Sequence, residues 1–219
     1  TGSWSLFKNP ERRILSINVA PYDAYKHGAL NLVSDARTAL SAISKALHNR
    51  IWPKPLWLQD DWAAVTAGVK AAPKAAGLPT DMQVIGAVQR SAGPDTVVMS
   101  AAGTMPGELH KIWDAPVGGY HMEYGFSCMG YEIAGAMGIK MARPDADVIC
   151  MLGDGSYMMA NSELATAVMM GLAFTVVITD NRGYGCINRL QKGTGGAGFN
   201  NLLDESYHVN PSHIDFVAH

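Results

Sequence analysis

Three short apolar runs rich in β-branched residues, DTVVMS (95–100), ADVICML (146–152) and AFTVVITD (173–180), lack the strict in–out alternation of a strand with one wet face. Such runs predict strands buried on both sides. The stretches between them carry helical spacing, which predicts strands alternating with helices and hence a parallel α/β sheet with helices on both faces. TDMQVIGAVQRSA (80–92) opens with Thr80 or Asp81 as a capping residue, SCMGYEIAGAMGIKMAR (127–143) has the small residues that let a helix pack closely on a sheet, and SELATAVMMG (162–171) closes at Gly171. A further helix is expected over 60–72, and AAGTMPGE (101–108) places Pro106 where a first helical turn tolerates it.

The front of the chain carries a second pattern. RRILSINVA (12–20) reads as a strand, and 34–49 as a helix capped by Ser34 with Ala36, Leu40, Ile43 and Leu47 on one face. Residues 1–48 are therefore expected to be the C-terminal part of a second α/β domain, 49–60 (NRIWPKPLWLQD) a linker, and 61–219 the main domain. The glycine-rich QKGTGGAGFNN (191–201) is expected to be a mobile loop over the C-terminal edge of the sheet. After Pro211 and Ser212 the last residues read as the start of a helix whose Ile214, Phe216 and Val217 lack a partner. With no initiator Met either, the chain is expected to be a piece of a longer one.

Composition changes the picture mainly by exclusion. Hydrophobic residues make up 48% of 219, enough for a sizeable core. The 17 basic and 19 acidic side chains nearly cancel and the basic ones are scattered, which argues against nucleic acid or anionic membrane as partner. No apolar run approaches the roughly 20 residues of a membrane span, and the N-terminal residues lack a signal-peptide core. Three cysteines without CxxC spacing give neither a disulfide framework nor a zinc pattern, so a reducing cytoplasm is the expected setting.

The candidate chemistry lies after the second and third apolar runs. Neighbouring parallel strands would bring Asp154 and Asn181 together at their C-terminal ends, where ligands of such sheets bind. A carboxylate, an amide oxygen and a backbone carbonyl near Gly183 suit Mg²⁺, which takes one or two protein carboxylates and completes its shell with water and phosphate. The glycines beside Asp154 allow close backbone approach, and the N–H groups of Gly155 and Ser156 would face an anion. A lone GDG is an ordinary turn. Here the 24 residues 156–179 separate Gly155 from Asp180–Asn181. This spacing resembles the GDG…NN motif of thiamine diphosphate-dependent enzymes, with Asp180 in place of the first Asn.

The resemblance extends to the acetolactate-synthase-like superfamily of these enzymes through AAGTMPGEL (101–109) and YGFSCMGYEIAGAMGIKMARPDADVICMLGDGSYMM (124–159). It implies that Gly103 and Thr104 contact the diphosphate, that the Ser127 carbonyl accepts from the pyrimidine amino group, and that Met129 is the apolar wedge holding the cofactor bent. It implies thiamine diphosphate with Mg²⁺ on Asp154, Asn181 and Gly183. Within the superfamily, DAYKHGA and YHMEYGFSCMGYEIAGAMGIKMA are most similar to the enzymes of myo-inositol breakdown that hydrolyse a carbon–carbon bond of a cyclic dione, a small-molecule substrate. The family's activating Glu comes from a separate N-terminal domain, usually on the partner subunit, which no part of this chain resembles. No catalytic residue is therefore assigned, the piece alone is expected to be inactive, and the intact enzyme is expected to be a homodimer or homotetramer.

Blander readings stand beside these. Met129 could be core filler, Ser156 a helix cap, Glu163 a dipole-compensating surface residue, and Asn188 and Arg189 a solvated helix face. His121 and Glu123 could line the substrate cavity, although an ordinary hydrogen-bonded His fits as well. The cysteines read as buried small residues, and Tyr184 and Gly185 as shaping the turn after Asn181. A pyruvate carboligase or decarboxylase, and a non-catalytic phosphate-binding module, are the alternative functions.

Overall fold

The computed structural model describes residues 8–51, 59–71, 77–211 and 213–219. The chain forms two compact units, Thr1–Trp57 and Leu58–His219. Most of the expected linker, 52–58, lies outside the described residues.

In the first unit, strand β1 (Leu15–Asn18) pairs in parallel with β2 (Leu30–Val33), Leu15 opposite Leu30. The short helix α1 (Pro21–Ala24) and a 3-10 turn over Lys26–Gly28 connect them, and α2 (Ala36–Ala46) follows. β2 has no counterpart among the expected strands. The cap of α2 is Asp35 rather than Ser34. The Asp35 carboxylate accepts from the Thr38 N–H at 2.9 Å, whereas the Ser34 hydroxyl donates to the Asp35 carbonyl.

The second unit is built on four parallel strands in the order β4-β3-β5-β6. These are β3 (Thr96–Ser100), β4 (Tyr120–Met122), β5 (Asp147–Gly153) and β6 (Thr175–Thr179). Helices α3 (Gln59–Lys70), α4 (Asp81–Ser91), α5 (Thr104–Ile112), α6 (Tyr131–Ala142), α7 (Asp154–Met159), α8 (Glu163–Met169) and α9 (Gly185–Gly193) complete it. Thr80, not Asp81, caps α4. Its hydroxyl accepts from the Gln83 N–H while the Gln83 side chain accepts from the Thr80 N–H, a closed capping box.

The apolar runs lack alternation because each face of the sheet has its own core. Val97, Met99, Val148, Cys150 and Leu152 point into one cluster with Ile133, Ala136 and Tyr157. Their neighbours Val98, Ile149 and Met151 point into the other, with Ile85, Met105 and Leu109. Successive side chains on a strand go to opposite faces, and both faces here exclude water. The expected α/β class is the observed one.

Three elements differ from expectation. Helix α6 starts at Tyr131 rather than 127, because Ser127 (φ 56°) and Gly130 (φ 89°) take left-handed conformations and form a turn first. The first residues of the glycine-rich stretch belong to α9, so the loop begins after Gly193. The expected C-terminal helix is instead a turn over 216–218, where the Asp215 carboxylate accepts from the Val217 and Ala218 N–H groups. Phe216 has a partner after all. It meets the Tyr157 ring edge-on at 5.5 Å, and the Tyr157 hydroxyl lies 3.0 Å from His219 Nδ1.

Candidate functional site

Because the strands are parallel, the C-terminal ends of β3, β5 and β6 open on the same edge, where a cleft of about 270 Å³ is found. It is lined by Gly103 and Thr104 after β3, by Ser127 and Met129 from the turn before α6, by Gly155 and Ser156 after β5, and by Asn181 and Gly183 after β6. Four segments remote in sequence thus meet at one place.

Asp154 sits behind this lining and is only 6% exposed. Its carboxylate is turned toward the loop after β6, one oxygen accepting from the Asn181 N–H at 3.3 Å and the other from the Gly183 N–H at 2.7 Å. Burial pushes its pKa up from the usual aspartate range, the two N–H bonds pull it back, and the nearby Asp180 adds to the rise. Among the described residues no lysine or arginine pairs with it. A buried carboxylate held only by backbone dipoles is a place where a cation would lower the energy. The residues present therefore fit a metal-bridged anion. Among the described residues no group of three or more His, Cys, Asp or Glu is placed to hold a metal, so this would be a site of one carboxylate with neutral oxygens.

The second ligand candidate, Asn181, accepts from the Gly185 N–H at 3.3 Å and so holds the start of α9. Gly183 has φ +142°, and a Cβ there would stand 2.4 Å from the Asn201 carbonyl oxygen. The reason is a bridge between Gly183 and Leu202, flanked by bonds from Tyr184 N–H to Asn201 O (2.7 Å) and Leu203 N–H to Arg182 O (2.8 Å). The end of the glycine-rich stretch thus clamps the turn. Tyr184 explains the second glycine of GDG, since a Cβ at Gly155 would lie 2.8 Å from its ring.

On the opposite wall, Gly103 (φ +100°) leads into the N-terminus of α5, whose free N–H groups border the cleft. The Thr104 hydroxyl accepts from the Arg189 guanidinium, which brings a cation from α9 to this loop. Asn188 does not belong to a solvated face: it is 6% exposed, and its side-chain oxygen has no hydrogen-bond partner, whereas Arg189 is exposed while bonded to Thr104. Glu163 lies in the first turn of α8, the position that compensates the helix dipole.

Glu123 does not line the cleft. Its two oxygens accept from the Phe126 N–H (2.9 Å) and the Cys128 N–H (2.8 Å), fixing the turn that presents Ser127 and Met129. These bonds hold its carboxyl below the usual glutamate range, against a smaller effect of desolvation. A depressed carboxyl contributes stability above its unfolded value and loses it as pH falls through the folded one. We expect the Phe126 and Cys128 amide resonances to move together as pH is lowered through the acid range, and in Glu123→Gln to lose that transition. His121 stacks on Tyr131 (ring centroids 6.2 Å, planes 11° apart) and likewise stays outside the cleft lining. Of the cysteines only Cys150 is fully buried. Burial, then the neighbouring Glu132 carboxylate, push its thiol pKa up, which leaves it unreactive. Cys128 is exposed, and Cys186 is half-buried at the cleft beside Tyr184 and Gly185.

The motif reading missed Glu132. It is 0% exposed and accepts hydrogen bonds from the loop after β3, the Met129 turn and α7. The signal was an acidic residue in a largely small and apolar helix whose other charged residue, Lys140, lies in its last turn.

A parallel sheet with a GDG turn and an Asn turn on adjacent strand ends defines a diphosphate-binding α/β domain. Residues 101–219 match the thiamine pyrophosphate enzyme, C-terminal TPP binding domain, and the chain belongs to that family. It is 39% identical over 225 aligned positions to the 3D-(3,5/4)-trihydroxycyclohexane-1,2-dione hydrolase of Geobacillus thermodenitrificans, covering 91% of this chain and 35% of that protein. It is 35% identical to the enzyme of the same name from Bacillus cereus, with the same coverage. With 3D-(3,5/4)-trihydroxycyclohexane-1,2-dione hydrolase 2 of another Bacillus cereus strain it shares 34% identity over 100% of this chain and 39% of that one. The chain thus spans little more than a third of the curated relatives it matches.

Proposed function

We propose that this chain is the cofactor-binding part of a Mg²⁺- and thiamine diphosphate-dependent hydrolase that opens 3D-(3,5/4)-trihydroxycyclohexane-1,2-dione to 5-deoxy-glucuronic acid in myo-inositol catabolism. The observation that carries the cofactor reading is the convergence of the four segments on one cleft floored by the buried Asp154, whose carboxylate is held by backbone N–H groups. The substrate reading is supported by the names of the relatives. Residues 61–219 form the diphosphate-binding domain in this reading, and 1–48 the end of a central domain.

The residues divide the work by chemistry. Asp154, the Asn181 side-chain oxygen and the Gly183 carbonyl hold the cation. An amide oxygen has two lone pairs, so Asn181 keeps its bond to Gly185 while ligating. The N–H groups of Gly155 and Ser156, with Gly103 and Thr104 across the cleft, hold the diphosphate oxygens. Met129 would pack against the ring system, and the Ser127 carbonyl would accept from the amino group of the pyrimidine. When bound, thiamine diphosphate supplies the electron sink for carbon–carbon cleavage. The protein contributes orientation and a partly dry pocket. The activating Glu comes from another domain of a homodimer or homotetramer. Among the described residues no helix is long and apolar enough to cross a membrane, and we place the enzyme in the cytoplasm.

The test is product analysis on the intact protein with Mg²⁺ and thiamine diphosphate. The cyclic dione should gain one water to give an open-chain acid, while pyruvate should release no carbon dioxide. Turnover of pyruvate without ring opening would replace the substrate assignment with a carboligase or decarboxylase.

A further inference from the structure

We propose that Glu132 is a positioning residue for the cofactor: its buried carboxylate fastens the loop after β3, the Met129 turn and α7 in the one arrangement that accepts thiamine diphosphate. This rests on the cofactor reading above. One Glu132 oxygen accepts from the Ala102 N–H at 3.4 Å, and the other from the Gly130 N–H at 2.9 Å. The Ser156 hydroxyl lies 2.8 Å from both oxygens and itself accepts from the Gly130 N–H at 2.8 Å. Every one of these partners adjoins a residue of the cleft. Ala102 precedes Gly103, Gly130 follows Met129, and Ser156 follows Gly155.

The arrangement settles what the Ser156 side chain does. Its proton is directed at Glu132, so the backbone N–H is the part left to face an anion. The position of Glu132 in the first turn of α6 makes a negative charge tolerable there. That does not explain why the side chain turns inward, fully out of water, where an apolar residue would be cheaper to bury. Holding three separate segments in register does explain it, because a carboxylate accepts from several donors at once and an apolar group from none.

Glu132→Gln keeps the size but sets an amide N–H₂ against at least one of the backbone donors. Ile139→Ala, a partly buried core contact on the same helix, serves as the stability control. Calorimetry with thiamine diphosphate and Mg²⁺ on the intact protein, paired with melting temperatures, should show affinity at least about 10-fold weaker in Glu132→Gln and nearly unchanged in Ile139→Ala, the range expected for lost support around a bound group. In a Ser156→Ala background the Glu132→Gln change should add less than it does alone, since the two act through one bond. Equal affinity in Glu132→Gln and wild type, or affinity that merely follows melting temperature in both variants, overturns the proposal. If Glu132→Gln does not fold, Ser156→Ala alone is read: it keeps the backbone N–H, and unchanged affinity there overturns the proposal as well. Wild-type protein that binds no thiamine diphosphate would instead sink the cofactor reading.

Discussion

Replacing Asp154 by Ala should abolish Mg²⁺-dependent binding of thiamine diphosphate, lowering affinity by more than about 100-fold. Residues that merely support a metal ligand cost about 10- to 100-fold when lost, and a ligating carboxylate should exceed that range. The effect on folding should be far smaller, because two terms oppose. The Asn181 and Gly183 N–H groups lose an acceptor, at less than the roughly 1–3 kcal/mol of a fully buried unsatisfied group, since Gly183 is half-buried and Asn181 exposed. Against this, a carboxylate that burial disfavours is removed. Calorimetry with and without Mg²⁺, set beside the melting curve of the ligand-free protein, separates the two. Undiminished binding in a folded Asp154→Ala protein would remove the carboxylate from the metal site.

Gly183→Ala should be the most damaging single-methyl substitution at the cleft. The new Cβ would lie 2.4 Å from the Asn201 carbonyl oxygen and 3.0 Å from Leu202 Cα, both backbone atoms that cannot swing away, at a φ of +142° that L residues avoid. Strain and overpacking of this kind each cost about 1–3 kcal/mol, so a loss of roughly 2–6 kcal/mol is expected. At about 2–4 °C per kcal/mol for a chain of this size, the melting temperature should fall by on the order of 10 °C. Cofactor binding should fall with it, since the clamp of 201–203 on the turn must open. Gly107→Ala is the contrast: it lies within α5, a Cβ there would meet nothing within 4 Å, and removing a helical glycine should be neutral or stabilising by about 0.5–1 kcal/mol. Similar melting temperatures for the two variants would show that the 201–203 segment yields.

What could be read from the sequence followed from local physics. Runs such as VICML and TVVIT have no polar alternation, which predicts burial on both faces; β5 is so buried, β6 at the end of the strand order only partly, and the helices between them forced a parallel sheet. That topology carries Asp154 and Asn181 to adjacent strand ends, which is why their spacing was informative before any contact was known. Signals failed where a few residues depend on remote ones. YHM is a strand only because Val98 to Ser100 lie beside it, and the last seven residues turn back because the Tyr157 ring offers Phe216 an edge. The early start expected for α6 ignored the left-handed Ser127, a conformation held by the Glu123 clamp on the N–H groups at either side of it.

By itself, then, the sequence determined strands β1, β3, β5 and β6, the class of fold and the order in which GDGS and Asn181 follow their strands, since periodicity and glycine placement act over a few residues. Only the tertiary structure decided that Glu123 clamps a turn rather than facing the cleft, that Arg189 reaches Thr104 across 85 positions, and that residues 201–203 lock Gly183. It alone turned Glu132 inward to the loop after β3, the Met129 turn and α7. Each of these is a hydrogen bond or close packing contact whose energy exists only once distant segments have been brought together by burial of the two cores.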